Sequence, residues 1–220
     1  PLRIYVFYSY LSLCMNMVHP VTPTLVHELG FSSLLYSSLS STLALTNFLC
    51  APVWGYYSDR HGRRPVLLLG TVMYACSQFL FSRATTVPVL LIARLCGGIG
   101  SAGYITAGLA YIVDVSGPEA RGRNLAVFTA LTSISSSFGY LAGGLLGTIS
   151  VQTTFFVQLT LLSTCALLGY FILGESRDRQ AILLSRADLT AKKFYDFKAM
   201  GSIMSLPVLL FLVSVVLASF

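Results

Sequence analysis

Between two long apolar segments, the sequence reads GYYSDRHGRRP at residues 55–65. Gly55 permits close packing at a helix end, and Gly62 permits a backbone turn with positive φ. Pro65 suits the first turn of a following helix, where a missing N–H costs little. Three arginines alone would fit an ordinary basic loop at a membrane surface. That interpretation explains neither the acid at Asp59 nor the spacing of the two glycines.

The segments around this loop are long enough to cross a bilayer. A spanning helix needs about 20 mostly apolar residues. Backbone polar groups must be paired in lipid, so each such run is predicted to be a helix. Hydrophobic residues make up 55% and charged residues 10% of the chain, whereas soluble domains carry about 25% charged residues. An all-α membrane protein follows, with six spans at residues 4–26, 34–57, 65–83, 87–114, 124–148 and 152–174 and a seventh starting near Ser202.

The basic residues lie mainly on one side of this array. Connections after the first, third and fifth spans carry a single basic residue, Arg83, and the other connections carry most of the rest. The positive-inside rule then predicts a cytoplasmic amino terminus and cytoplasmic even-numbered loops. The net charge of +6 is therefore a topology signal, and without aromatic interleaving or a binding motif it predicts no nucleic-acid partner.

The chain divides at its one long polar connection. We predict a six-helix bundle over residues 1–174, a cytoplasmic linker over 175–200, and a seventh helix over 201–220 that begins a second half of a longer protein. The five cysteines lie in apolar runs without a CxxC pair, which predicts neither a disulfide framework nor a metal site. No cofactor is predicted either.

The stretch at residues 55–65 resembles the loop motif G-x-x-x-D-[RK]-x-G-[RK]-[RK] of the major facilitator superfamily at every fixed position. Further stretches are similar to family motifs: Pro20 and Pro23 in the first span, Arg94 to Gly100 in the fourth, and Asp114 at the end of that span. Among the branches of the superfamily, these stretches resemble that of drug–proton antiporters and tetracycline exporters. One departure is Gly144, which stands where that branch usually carries a proline in its fifth helix.

The resemblance implies a gate on the cytoplasmic side, where an Asp–Arg network holds the transporter closed. Its residues would be Gly55, Asp59, Arg60, Gly62, Arg63, Arg64 and Asp114. The alternative for Asp114 is a solvated residue at a helix end.

Three further residues are candidates for a substrate or proton pathway. Arg94 lies well inside an apolar run, where a charge is costly; it either faces a cavity or extends to the outer interface. Asn16 and His19 fall on one face of a continuous first helix, and a polar stripe there should face the bundle interior. The alternative for His19 is a hydrogen-bonded histidine without a role in transport.

The resemblance, together with the predicted topology, implies the amino-terminal half of a twelve-helix secondary transporter that moves a small organic solute by rocker-switch alternating access. Proton-coupled export is one expectation. All eight acids lie at span ends or in connections, so a coupling carboxylate would lie in the other half. The alternatives are an uncoupled facilitator and a transporter-like receptor or scaffold. No enzyme motif occurs. We expect a monomeric, multi-pass protein whose partners are the bilayer, a small-molecule substrate and protons.

Overall fold

The computed structural model describes residues 2–176, and this part of the chain is helical without strands. Five of its helices are long and apolar enough to cross a membrane. A 3-10 turn at Pro118–Ala120 precedes α6. The helices are α1 Leu2–Asn16, α2 Thr22–Glu28, α3 Ser33–His61, α4 Arg63–Arg83, α5 Val87–Asp114, α6 Arg121–Gly147 and α7 Val151–Ile172. The predicted seventh span, and the linker after Ser176, lie outside the described residues.

The first predicted span is not one helix, and that prediction was wrong. α1 ends at Asn16, and turns at residues 17–21 separate it from α2. Pro20 explains the break, since it has no N–H to donate to Asn16 and its ring clashes with that carbonyl. Gln158 of α7 donates to the carbonyl of Cys14 at 3.0 Å. A side chain of α7 therefore donates a hydrogen bond to a backbone carbonyl close to the break between α1 and α2.

The loop at residues 55–65 is almost entirely helical. α3 continues through His61 and α4 begins at Arg63, so Gly62 is the single residue between them. Gly62 has φ +99° and ψ 162°, a conformation that is essentially restricted to glycine. The sequence therefore predicted the glycine turn correctly, but it placed the helix ends too far from it.

Two helix pairs approach closely through small residues. A Cβ on Gly70 of α4 or on Gly100 of α5 would overlap the backbone of the other helix. On α6, a Cβ on Gly139 would overlap the carbonyl of Leu13, and one on Gly143 that of Met17. Small residues allow such backbone contact in lipid, where packing replaces the hydrophobic effect as the driving force. The α4–α5 contact thus helps to fix the positions of two helices that carry charged residues at their ends, α4 with Arg63 and α5 with Asp114.

Candidate functional site

The charged residues at the α3–α4 junction meet around Arg63. Its Nη1 lies 2.8 Å from Oδ1 of Asp59, and its Nε donates to Oδ2 of Asp114 at 2.9 Å. Nη1 also donates to the hydroxyl of the buried Ser58 at 3.0 Å. The Arg63 side chain is 11% exposed, that of Asp114 25% and that of Asp59 50%. One guanidinium therefore joins the end of α3, the start of α4 and the end of α5.

A fourth residue, Glu175, completes this network and was missed by sequence reasoning. Its Oε1 accepts the backbone N–H of Arg63 at 2.8 Å, and its Oε2 that of Arg64 at 3.3 Å. These are unpaired N–H groups at the start of α4, where a carboxylate also interacts favourably with the helix dipole. Glu175 lies just after the sixth span on the arginine-rich side, and this position was the available signal. We call Asp59, Arg63, Asp114 and Glu175 the Arg63 cluster.

The other predicted gate residues surround this cluster. Gly62 supplies the turn, and Glu175 occupies the space that a Cβ on Gly62 would need. The Arg60 guanidinium stacks 4.2 Å above the ring of Tyr56, and Arg64 donates to the carbonyl of Tyr170.

The close packing predicted at Gly55 is looser than expected. A Cβ at this position would make only an ordinary contact of 3.7 Å with Thr106 of α5. Gly55 is thus not sterically required where α3 crosses α5.

Asn16 and His19 line the same cavity even though no continuous helix joins them. The cavity measures about 330 Å³, and its other lining residues are Met15, Leu43, Ala44, Asn47, Tyr74, Ser101, Tyr104 and Ile105. Asn47 donates to Ser101 at 2.7 Å across the α3–α5 contact. The sequence analysis did not predict Asn47 and Ser101 as cavity residues, because each one is isolated in its own span.

Asn16 also lines a neighbouring cavity of about 220 Å³, which includes Tyr8, Ser12, Ser133 and Ser136. Its side-chain amide donates to the carbonyl of Ser12 at 2.7 Å and to the hydroxyl of Ser136 at 3.0 Å. None of the residues that line the two cavities is an acid, a lysine or an arginine. They offer hydroxyl, amide, imidazole and aromatic groups, which recognise a ligand by hydrogen bonding and stacking.

Arg94 does not line either cavity. It is 6% exposed, its guanidinium lies 3.8 Å above the ring of Phe81, and its buried Nε has no hydrogen-bond partner. A cation over an aromatic face is stabilised by the ring quadrupole, most strongly when it is desolvated. Arg94 is thus packed inside the bundle and does not extend along its surface.

Residues 2–176 contain no cluster of three or more His, Cys, Asp or Glu side chains able to hold a metal ion.

A bundle of membrane-length helices, with a charged network at one end and an uncharged polar cavity farther in, has the architecture of a membrane transporter domain. The chain belongs to the Major Facilitator Superfamily, whose family model matches residues 4–220. The resemblance inferred from the loop motif is therefore confirmed, as is the all-α membrane fold. Membership of this superfamily of transporters also confirms that the chain is not an enzyme.

Sequence similarity to two known proteins supports the family assignment. The chain is 36% identical over 165 residues to a class C tetracycline resistance protein of Escherichia coli, covering 74% of this chain and 41% of that protein. It is 30% identical over 163 residues to multidrug resistance protein 1 of Bacillus subtilis, covering 74% of this chain and 42% of that protein. The chain thus spans about two fifths of the length of these relatives.

A solved structure shares the fold. The crystal structure of the human organic anion transporter MFSD10 (TETRAN) superposes with a TM-score of 0.68 at 22% identity, covering 81% of this chain and 48% of that one.

Proposed function

We propose that the chain is the amino-terminal half of a secondary transporter that exports a small organic solute by rocker-switch alternating access, with a proton gradient as the driving force. The observation that carries this proposal is the Arg63 cluster, which joins three helix ends and the segment after α7. Such contacts can exist only when these ends are together. The proposal is that these contacts are stronger in one conformation of the transporter than in the other, and so favour that conformation.

The role proposed for the cluster is that of a latch on one side of the membrane. Its two ion pairs join Arg63 to Asp59 and to Asp114. Glu175, in the segment after α7, accepts a hydrogen bond from the backbone at the start of α4. We take this side to be cytoplasmic, because it carries most of the arginines. The boundary between the halves then falls in residues 175–200, and the complete protein acts as a monomer of two halves.

The substrate path is proposed to pass the cavity lined by Asn16 and His19, with Asn47 and Ser101 opposite. Arg94 is proposed to act on this path indirectly, from its site against Phe81. The drug-resistance relatives support an organic solute as substrate, and tetracycline is the first compound to test.

An uncoupled facilitator is the second candidate, and one observation favours it. The acids in the described part of the chain, Glu28, Asp59, Asp114, Glu119 and Glu175, lie at helix ends or between helices. None is buried near the middle of a span, where a carboxylate would be tuned for proton transfer. Proton coupling through a carboxylate therefore requires one in the other half.

The test is tetracycline transport by the full-length protein in proteoliposomes with an imposed pH gradient. Coupled export predicts accumulation against the tetracycline gradient that is abolished when the pH gradient is collapsed. Equilibration at the same rate with and without the pH gradient would favour the facilitator. Saturable binding without flux would favour a receptor or scaffold.

A further inference from the structure

An apolar groove runs along the outer seam between α4 and α7, away from the cavities described above. It measures about 590 Å³ and is lined by Val72, Ala75, Cys76, Phe79, Leu159, Leu162, Ser163, Ala166 and Leu167. Small side chains such as Ala75 and Ala166 leave the space, and Phe79 and Leu167 on its walls are 55% and 62% exposed. Both helices are long enough to span the membrane. The groove is therefore at a depth where acyl chains are the solvent.

A positively charged side chain, Arg64, lies at the end of the α4–α7 seam that is nearer the Arg63 cluster. Arg64 lies in the first turn of α4, with its guanidinium 5.0 Å from the ring centre of Tyr170 on α7. Tyr170 follows Ala166 and Leu167 by four and three residues, so it shares their helix face. Tyrosine is typical of the interface between lipid headgroups and acyl chains.

Among residues 2–176, no carboxylate forms an ion pair with the guanidinium of Arg64. Both ion pairs found among residues 2–176 belong to Arg63. Arg64 donates to the carbonyl of Tyr170, and its Nε is buried without a hydrogen-bond partner. A guanidinium has five N–H donors in a planar fork that matches the oxygens of a phosphate group. An anion beside the guanidinium would supply the charged partner that residues 2–176 do not provide.

The distance between this charge and the groove matches the dimensions of a lipid. The groove residues Val72 to Phe79 follow Arg64 by 8 to 15 residues, which at 1.5 Å per residue is roughly 12 to 22 Å along the helix. One leaflet of hydrocarbon is about 15 Å deep. A phosphate at Arg64 would therefore place an acyl chain of ordinary length in the near part of the groove.

We propose that the α4–α7 groove binds an anionic phospholipid of the leaflet next to the Arg63 cluster, with the phosphate on Arg64 and one acyl chain along Ala75 and Ala166. A helix from a second copy of the protein could cover the groove but would leave the Arg64 charge unpaired. A phospholipid satisfies both the apolar groove and the charge. Basic pockets between spanning helices are known to hold anionic headgroups in this way.

The test is native mass spectrometry of the full-length protein, delipidated in detergent and then titrated with phosphatidylglycerol or with phosphatidylcholine of the same acyl chains. Wild type is expected to retain one phosphatidylglycerol in preference to phosphatidylcholine. Arg64→Gln is expected to weaken phosphatidylglycerol binding by about fivefold, the effect of one basic residue near an anionic headgroup. Arg123→Gln, an exposed arginine at the start of α6, is the matched control and should bind as wild type does.

A second variant tests the groove without changing any charge. Ala166→Phe fills the space and is expected to abolish retention of the tightly bound lipid, whereas Leu168→Phe, an exposed α7 position outside the groove, should not. Equal losses for Arg64→Gln and Arg123→Gln would overturn the headgroup site. Unchanged retention in Ala166→Phe would overturn the acyl site, and so would a wild-type protein that retains no lipid. Because these measurements need no transport, they stand or fall separately from the proposed transport activity.

Discussion

Replacing Asp114 with asparagine tests the latch most directly. The substitution keeps the shape of the side chain and removes the charge that faces Nε of Arg63 at 2.9 Å. A hydrogen bond between charged groups contributes about 1.5–3 kcal/mol when buried. With the two side chains 11% and 25% exposed, solvent screening lowers this to about 1–2 kcal/mol. The closed conformation should therefore lose about fivefold to thirtyfold in relative population.

Asp59→Asn should act in the same direction but more weakly. Its ion pair with Arg63 is an i,i+4 contact with Asp59 50% exposed, and such pairs contribute about 0.3–0.5 kcal/mol. The population shift should then be about twofold. Combining Arg63→Ala with Asp114→Asn should give less than the sum of the two single effects, since both remove the same contact.

The assay uses the full-length protein with one spin label at the cluster end of this half and one on the other half. Distance distributions then give the fraction closed at that end, and proteoliposome transport gives turnover. Glu119→Gln is the control, an exposed acid in the connection before α6. Wild-type populations and turnover in Asp114→Asn would refute the latch, and strict additivity in the double variant would show that Arg63 and Asp114 act independently.

Three further results are expected. Gly62→Ala should lower the free energy of unfolding by about 1–3 kcal/mol, because alanine is strained at φ +99°; an unchanged melting temperature would contradict the turn. Gly143→Ala should destabilise by about 1–3 kcal/mol through overlap with the backbone of Met17, just after α1, whereas Gly144→Ala, with nothing within 4 Å of a new Cβ, should be near neutral; equal melting temperatures would contradict this contact of α6. In a variant without native cysteines, Glu119→Cys should be labelled from the cytoplasmic side and Thr148→Cys from the opposite side; labelling from one side would show that α6 does not span.

The sequence predicted those features that depend on local composition. The fourth span was placed at residues 87–114, the bounds that α5 has in the structure, because apolar length alone determines a spanning helix. The conformation of Gly62 was also predictable, since a glycine between two helices permits few alternatives.

Features that depend on distant residues could not be predicted. Glu175 meets the start of α4 only because α7 packs beside it, more than a hundred residues later in the chain. The break after Asn16 follows from Pro20, but the donor near it, Gln158, comes from α7. The pairing of Asn47 with Ser101 likewise requires the α3–α5 contact. A single sequence contains these residues without showing that they are neighbours.

The one-residue junction at Gly62 also limits how this part of the protein can vary in length. An α-helix turns by about 100° for each residue, so a single residue inserted after Gly62 would rotate every later side chain of α4 by that angle relative to α3. The Arg63 side chain could then no longer contact both Asp59 and Asp114. Gly70 would no longer lie against the backbone of α5. Related chains should therefore vary in length between α5 and α6, where residues 115–120 separate the helices, and keep the α3–α4 spacing constant. Insertion of a tag should be tolerated at the first of these sites and not at the second.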